Sequence, residues 1–498
     1  MLHTLHSRRA TAAAAGLVLA TGLAVSGAMV GLPADAAPGE PTLTLWAPKN
    51  ITGYYYGDGS GSYIDSAFKV IAGDTPVEIR AHRVTYDDPI TAELVQTGGN
   101  VALPADAMQD FSGLTDFITV QVVRTSTGKT VADYPQNACL NGYSERTSPD
   151  APAQSPYPLG CPYNPYTLGS VQGVQAGHAV SLSDYYGGSE LPIGPGEYDM
   201  TATVKPEFAT LFHMTSTSVA THVTITDGTS CRGCRTTPRV APGTPALAPA
   251  DKAPASPSFG TTDGPRPDLR ALPPWQLQLN RKGTALRFAA TVWNAGSSPM
   301  VVEGFRSSTD EDTLDAYEYF FDADGNQVGY QQVGTMHWHA GNHNHWHFED
   351  FARYDLLDSS MNQVVKSTKN SFCLANTDAV DYTVPGADWK PENTDLSSAC
   401  GGQDALSVRE VLSSGSGDTY FQYRTGQAFR IKDLPDGVYY IRITANPDDH
   451  LLEENTANNS SIRKLKLRTT KSGERRVRTW NVGVVDENMG FGYYRAAR

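Results

Sequence analysis

Charged side chains make up only 18% of the 498 residues, and 53 Asp and Glu outnumber 39 Lys and Arg. The resulting net charge of −14 repels a phosphate backbone, which excludes nucleic acid as a partner and favours cationic ligands. The chain has no internal repeat and no long block of like charge, and beyond residue 32 it has no apolar run long enough to cross a bilayer. It also lacks a second CxxC, so Cys231-Arg-Gly-Cys234 cannot complete a zinc site and reads as a structural bridge. The hydrophobic fraction of 40% supports real cores and excludes a wholly disordered chain. Abundant Gly (46), Pro (32) and Tyr (24) suit turn-rich β-structure better than helical bundles.

Arg8 and Arg9 precede an Ala/Gly/Leu/Val run ending near Leu32, and Ala34-Asp-Ala36 supplies a small-x-small cleavage site. That order predicts a secretory signal over 1–36, its removal leaving no stable membrane association. Export places the six cysteines where disulfides persist. Pairing neighbours in sequence gives Cys139–Cys161, Cys231–Cys234 and Cys373–Cys400.

At roughly 150 residues per domain the length suggests about three units. Residues 37–229 predict an amino-terminal β-sandwich-like domain, with alternating strands at Ile118–Arg124 and His222–Thr226. Tyr54-Tyr-Tyr56 and Tyr185-Tyr186 are candidates for a carbohydrate or peptide platform, against the plain preference of tyrosine for strands. Residues 230–266 are rich in Pro, Ala, Thr and Gly and read as a linker or a long surface crossing. From 267 to 498 β-patterning resumes, with a hairpin signal at Asp324-Gly325 and a strand at Val438–Ile443 after Pro435-Asp-Gly437. Only Ser407–Leu412 and short pieces near Phe351 read as helical, so the whole is mainly β with few short helices.

Five of the twelve histidines fall between His337 and His347, in Met336-His-Trp-His-Ala-Gly-Asn-His-Asn-His-Trp-His347. His343, His345 and His347 alternate, so on a strand their imidazoles share one face and can converge on one ion. Three neutral imidazoles with an open position suit Cu(II) or Zn(II), with copper higher in the affinity order. His337 and His339, across the Ala340-Gly-Asn342 turn, can supply a fourth ligand or a supporting hydrogen bond. A loose metal-scavenging tract would be polar throughout, whereas this run is interleaved with Trp and Phe. His343-x-His345-x-x-x-Glu349 also fits half of a cupin motif, but Asp355 and Leu356 stand where that motif expects glycine.

The run from Trp338 to His347, followed by Asp350-Phe-x-x-Tyr-Asp-Leu-Leu-Asp358, resembles the copper-binding segment of the lysyl oxidases. The likeness continues in Lys369-Asn-Ser-Phe-Cys-Leu374 and Gly417-Asp-Thr-Tyr420, and ends at Glu453-x-Asn455-x-x-Asn458-Asn459. It covers about 267 to 468 and leaves the amino-terminal domain out. It implies copper(II) on His343, His345 and His347, and a lysyl-tyrosylquinone cofactor made from Lys369 and Tyr420. It further implies calcium at Asp268, the carbonyl of Leu269, Glu453, Asn455, Asn458 and Asn459, whose oxygens suit that ion. An Asn-rich turn capping a hairpin accounts for the last four equally simply.

The implied protein is a secreted oxidase that converts primary amines, such as lysine ε-amines in peptides or proteins, to aldehydes, with O2 consumed and hydrogen peroxide and ammonia released. The rival is a secreted copper store or carrier without turnover. Two departures bear on the chemistry. Arg353 occupies the place where animal members carry a histidine, which leaves the base to Asp350, Glu349, His337 or His339. Three residues rather than two separate His339 from His343.

Overall fold

Alternating burial governs both halves of the chain. In Val77–His82 every second residue is buried, and in Gly196–Val204 the inward set is Tyr198, Met200, Ala202 and Val204. Such period-2 patterns form sheets with one face on a core. The computed structural model describes residues 39–57, 61–65, 68–182, 188–228, 247–261, 263–339, 344–367, 369–391, 394 and 400–487. Among them the secondary structure is almost entirely strand. One short α-helix, Pro206–Leu211, and one 3-10 turn, Thr456–Asn458, are the exceptions. The protein is mainly β, as its composition predicts. No described helix is long and apolar enough to cross a membrane. The signal-like segment, Tyr185, Tyr186, Cys231 and Cys234 lie outside the described residues.

Residues before 229 form two four-stranded sheets and one seven-stranded sheet. Their shared core runs from Leu43 to Ile225 and includes Phe117, Tyr198 and Phe208. Tyr54 and Tyr55 end the strand Asn50–Tyr55, half-buried beside Ser62–Asp65. Residues after 267 supply sheets of six, six and five strands around a second core containing Phe288, Trp346, Tyr354 and Ile441. The stretch 247–261 runs over this second region, and Ser258–Gly260 pairs with Gln327–His339 as an added strand. The Asp324-Gly325 turn joins Thr313–Phe321 to Gln327–His339, with Gly325 at φ +80° where a side chain would be strained.

Two helical readings are corrected. Ser407–Leu412 is a strand paired antiparallel with Met300–Phe305, and Ala352–Leu357 is a strand paired with Gly437–Ala445. Val408, Val411 and Leu412 fit a helical spacing, but pairing buries them against the sheet, and tertiary packing overrides so short a local pattern.

The two regions are packed together. Tyr166 is buried with Leu272, Trp275 and Trp293, and the amide of Leu168 donates to the carbonyl of Val380 at 2.8 Å. Disulfides join Cys139 to Cys161 and Cys373 to Cys400, as neighbour pairing predicts.

Candidate active site

The strand His345–Glu349 pairs antiparallel with Gln327–His339, setting His337 opposite His347, Trp338 opposite Trp346 and His339 opposite His345. Trp346 is fully buried and fixes the apolar face of this strand. Its Nε1 donates to the Gly402 carbonyl at 3.0 Å, its ring lies edge-on to Trp338, and the Arg306 guanidinium sits 4.8 Å from its centroid. The alternation then turns His345 and His347 to the opposite face. Their Nε2 atoms stand 2.8 Å apart, and His339 stacks on His347 with centroids 4.8 Å apart. Two imidazole nitrogens that close need either one N–H between them or a shared cation, so the donor set fits a soft or borderline metal ion. His347 is 1% exposed, and its Nδ1 lies 3.3 Å from Ser371 Oγ. His343 falls outside the described residues. Among those described, no cluster of three His, Cys, Asp or Glu is close enough to hold a metal.

Lys369 and Tyr420, 51 positions apart in the chain, meet in the same neighbourhood. Lys369 Nζ lies 4.2 Å from the Tyr420 ring centroid and donates to the carbonyl of Ser371 at 3.0 Å. Ser371 therefore touches both His347 and Lys369, through its hydroxyl and its carbonyl. The strand Ser371–Phe372 is held there by pairing with the histidine strand, Glu349 opposite Ser371 and Phe348 opposite Phe372. The Tyr420 hydroxyl donates to the Cys373 carbonyl and accepts from the Cys373 amide, both at 2.8 Å. The disulfide links Cys373 to Cys400, whose carbonyl accepts from the Trp346 amide at 2.9 Å. One disulfide and one hydrogen bond thus connect the phenol's backbone clamp to the histidine strand. Gly426, at φ +87°, lets the backbone pass over the Lys369 stem, where an added Cβ would sit 3.1 Å from Lys369 Cβ.

Burial sets the electrostatics. It pushes the Lys369 ammonium down to about 8, against the attraction of Asp418. It holds the Tyr420 phenol well above its usual range, with the Asp418 and Glu410 carboxylates adding to the effect. Asp418 and Glu410 are themselves raised well above the carboxylate range by burial. Glu410 Oε2 accepts from the Leu374 amide at 2.9 Å. Sequence reasoning passed over both acids, although Asp418 stands in the Gly417-Asp-Thr-Tyr420 segment two positions before Tyr420. The alternation of a strand was the available signal.

The candidate bases are engaged in different ways. Glu349 Oε2 lies 3.1 Å from His337 Nε2 and accepts from the Thr335 hydroxyl at 3.0 Å. Asp350, at φ +55°, is raised above its usual range by burial, then by Asp448 and Glu349. Arg353 lies 3.8 Å from both Asp355 and Asp448 carboxylate oxygens.

The residues implied for calcium form a separate cluster. Asn458 Nδ2 donates to both Asp268 carboxylate oxygens, at 3.0 and 3.1 Å. Glu453 accepts from the Leu269 amide at 2.7 Å and from Asn459 Nδ2 at 2.7 Å. The Oδ1 atoms of Asn458 and Asn459 are buried without a hydrogen-bond partner. Asn455 instead caps the 3-10 turn, accepting from the Ala457 amide at 3.0 Å.

The amino-terminal region reaches the strand bearing Tyr420. Asn164 donates to Thr291 and Asp378, at 3.1 and 3.2 Å, and Asp378 also accepts from the Thr419 hydroxyl. The Tyr163 ring stacks on Phe421, centroids 6.2 Å apart.

Residues 326–475 match the lysyl oxidase family model, a stretch holding the histidine strand, Lys369 and Tyr420. The chain is similar to the protein-lysine 6-oxidases of Rattus norvegicus and Sus scrofa, each 31% identical over 131 residues. That of Gallus gallus is 32% identical over 131 residues. Each alignment covers 26% of this chain, and 28%, 45% and 27% respectively of the relatives, so the chain spans less than half the length of each.

Proposed function

We propose that this chain, which carries the lysyl oxidase pattern over 326–475, is a secreted copper- and quinone-dependent oxidase of primary amines. His343, His345 and His347 would hold copper(II), and Lys369 with Tyr420 would form a lysyl-tyrosylquinone. The observation that carries this reading is the approach of Lys369 Nζ to 4.2 Å from the Tyr420 centroid, beside the histidine face. A copper store has no use for that juxtaposition. When bound, copper supplies redox exchange with O2 beside the phenol, and the finished quinone supplies a carbonyl electrophile that takes up two electrons.

The chain's own groups do the rest. Ser371 orients the His347 ring through Nδ1, leaving Nε2 directed at His345, the usual way a neighbour sets the ring presented to a metal. Burial lowers the Lys369 ammonium to about 8, so that about a tenth of it is in the neutral, nucleophilic form at pH 7. The Cys373 backbone clamps the phenol oxygen so that the ring presents its face to the amine. Glu349 or Asp350, or His337 or His339 beside them, would accept the proton lost from the substrate carbon bearing nitrogen. The substrate class is a primary amine, such as the lysine ε-amines of peptides or proteins, and the acidic net charge attracts such cations without choosing among them. The signal-like first 36 residues and two disulfides support an extracellular location.

The test is a peroxide-release assay on copper-loaded protein with free lysine, lysyl peptides and simple diamines. The proposal requires peroxide and aldehyde in equal amounts with at least one of them. Full copper occupancy with no peroxide from any amine would favour the storage reading.

Calcium is proposed at Asp268, Leu269, Glu453, Asn458 and Asn459. The two unsatisfied Asn oxygens beside two carboxylates are a donor set of the hard, all-oxygen kind. Asn455 fits less well, since its side-chain oxygen already caps the turn. A cation there would tie the start of the region near Asp268 to its last hairpin. At calcium about a hundredfold above Kd, stabilisation is about 2.7 kcal/mol, so chelation should lower Tm by several degrees. An unchanged Tm would remove calcium from the account.

A further inference from the structure

We infer that Asp418 is the proton acceptor for Lys369 when the Lys369 nitrogen bonds to the Tyr420 ring, an assignment that rests on the quinone reading above. Asp418 and Tyr420 lie two apart on the strand Ser416–Tyr420 and so face the same side. Asp418 is 4% exposed, and its Oδ2 has no hydrogen-bond partner. A buried carboxylate oxygen left unpaired costs free energy unless it has a use. The cation whose charge it feels is Lys369, the same ammonium that lies over the Tyr420 ring.

Glu410 Oε1 and Asp378 Oδ1 are also buried without a hydrogen-bond partner, but these acids are disposed differently. Glu410 accepts from the Leu374 amide, and its charge is coupled to Asp418 rather than to a cation. Asp378 accepts from Thr419 and from Asn164, on the side facing the amino-terminal region. Tyr354, raised far above its usual range by burial, offers no base. Asp418 alone among these carboxylates shares a strand face with Tyr420 and interacts with the Lys369 charge. Because burial disfavours charge on both groups, passing the proton from the cationic nitrogen of the forming N–C bond to an ionised Asp418 removes two buried charges at once.

The step balances. With the ring already oxidised to a quinone, a Lys369 N–H and a ring C–H give way to an N–C bond. Two electrons and two protons leave, and O2 takes them up as hydrogen peroxide. Asp418 holds the proton released from nitrogen in the interval. Without an acceptor the new bond carries a positive nitrogen in a site where charge is poorly solvated.

The experiment follows the linkage rather than turnover. Wild-type protein, Asp418→Asn, Asp418→Glu and Asp418→Ala are loaded with copper, matured in air, and sampled over time by peptide mapping of Lys369 and Tyr420. Asp418→Asn should link about a hundredfold more slowly than wild type at unchanged copper content, the usual scale for a lost general base. Asp418→Glu, or formate added to Asp418→Ala, should restore part of the rate, which a merely structural role would not allow. Linkage at the wild-type rate in Asp418→Asn, or loss in all variants with no recovery by either route, would overturn the assignment. Wild-type protein that never links would instead fail the quinone reading itself, and this inference with it.

Discussion

Tyr420→Phe should lower amine turnover by at least about a thousandfold, some 4 kcal/mol of transition-state stabilisation, while copper still binds. The substitution removes one oxygen atom and leaves the ring, which packs edge-on to Phe372 at 5.3 Å. The fold therefore changes little beyond the loss of two hydrogen bonds to Cys373, about 1 kcal/mol each. A phenyl ring, however, cannot become a quinone, and no ordinary side chain supplies an equivalent electron sink. Phenylhydrazine should give a coloured, irreversible adduct with the parent protein and none with Tyr420→Phe. Retention of more than a few per cent of turnover in the variant would remove Tyr420 from the chemistry.

His347→Ala should abolish both copper binding and maturation, so that Lys369 and Tyr420 are recovered unlinked. His347 is the most buried of the site's described histidines and meets His345, His339 and Ser371 at once. Its removal takes away one proposed ligand and the group that bridges the metal face to Ser371. Metal content and quinone absorbance should fall together, and turnover with them by about a thousandfold or more. His337→Ala, by contrast, removes an outlying ring half exposed to solvent and paired with Glu349, and should lower metal content by about tenfold to a hundredfold at most. Equal losses in the two variants would show that the alternation of His345 and His347 is not what selects the ligands.

Much of this site could be read from the sequence because its signals are local. The alternation of His345 and His347 about Trp346 states which face those two imidazoles share, and the hairpin partner was visible in His337-Trp-His339, while His343 lies outside the described residues. The pairing of Cys373 with Cys400 followed from proximity in sequence. Lys369 and Tyr420 were legible only through the segments flanking them. What brings their side chains to within 4.2 Å is sheet pairing between segments 51 positions apart, which no spacing rule reports. Asp418 and Glu410 were missed for a related reason. An acid next to threonine on a strand looks solvated until packing buries it, and only then does its ionisation shift. The helical reading of Ser407–Leu412 failed because six residues cannot distinguish a helical stripe from a strand buried on both sides. The contacts of Tyr163 and Asn164 with Phe421 and Asp378 were equally invisible, because they join regions that composition alone sets apart.

Joining of Lys369 to Tyr420 is best tested by mass-spectrometric peptide mapping of wild-type protein after copper loading and maturation in air. A single cross-linked species containing Lys369 and an oxidised Tyr420, absent from protein matured without copper, is the predicted result. Recovery of both residues as separate, unmodified peptides from fully copper-loaded protein would contradict it.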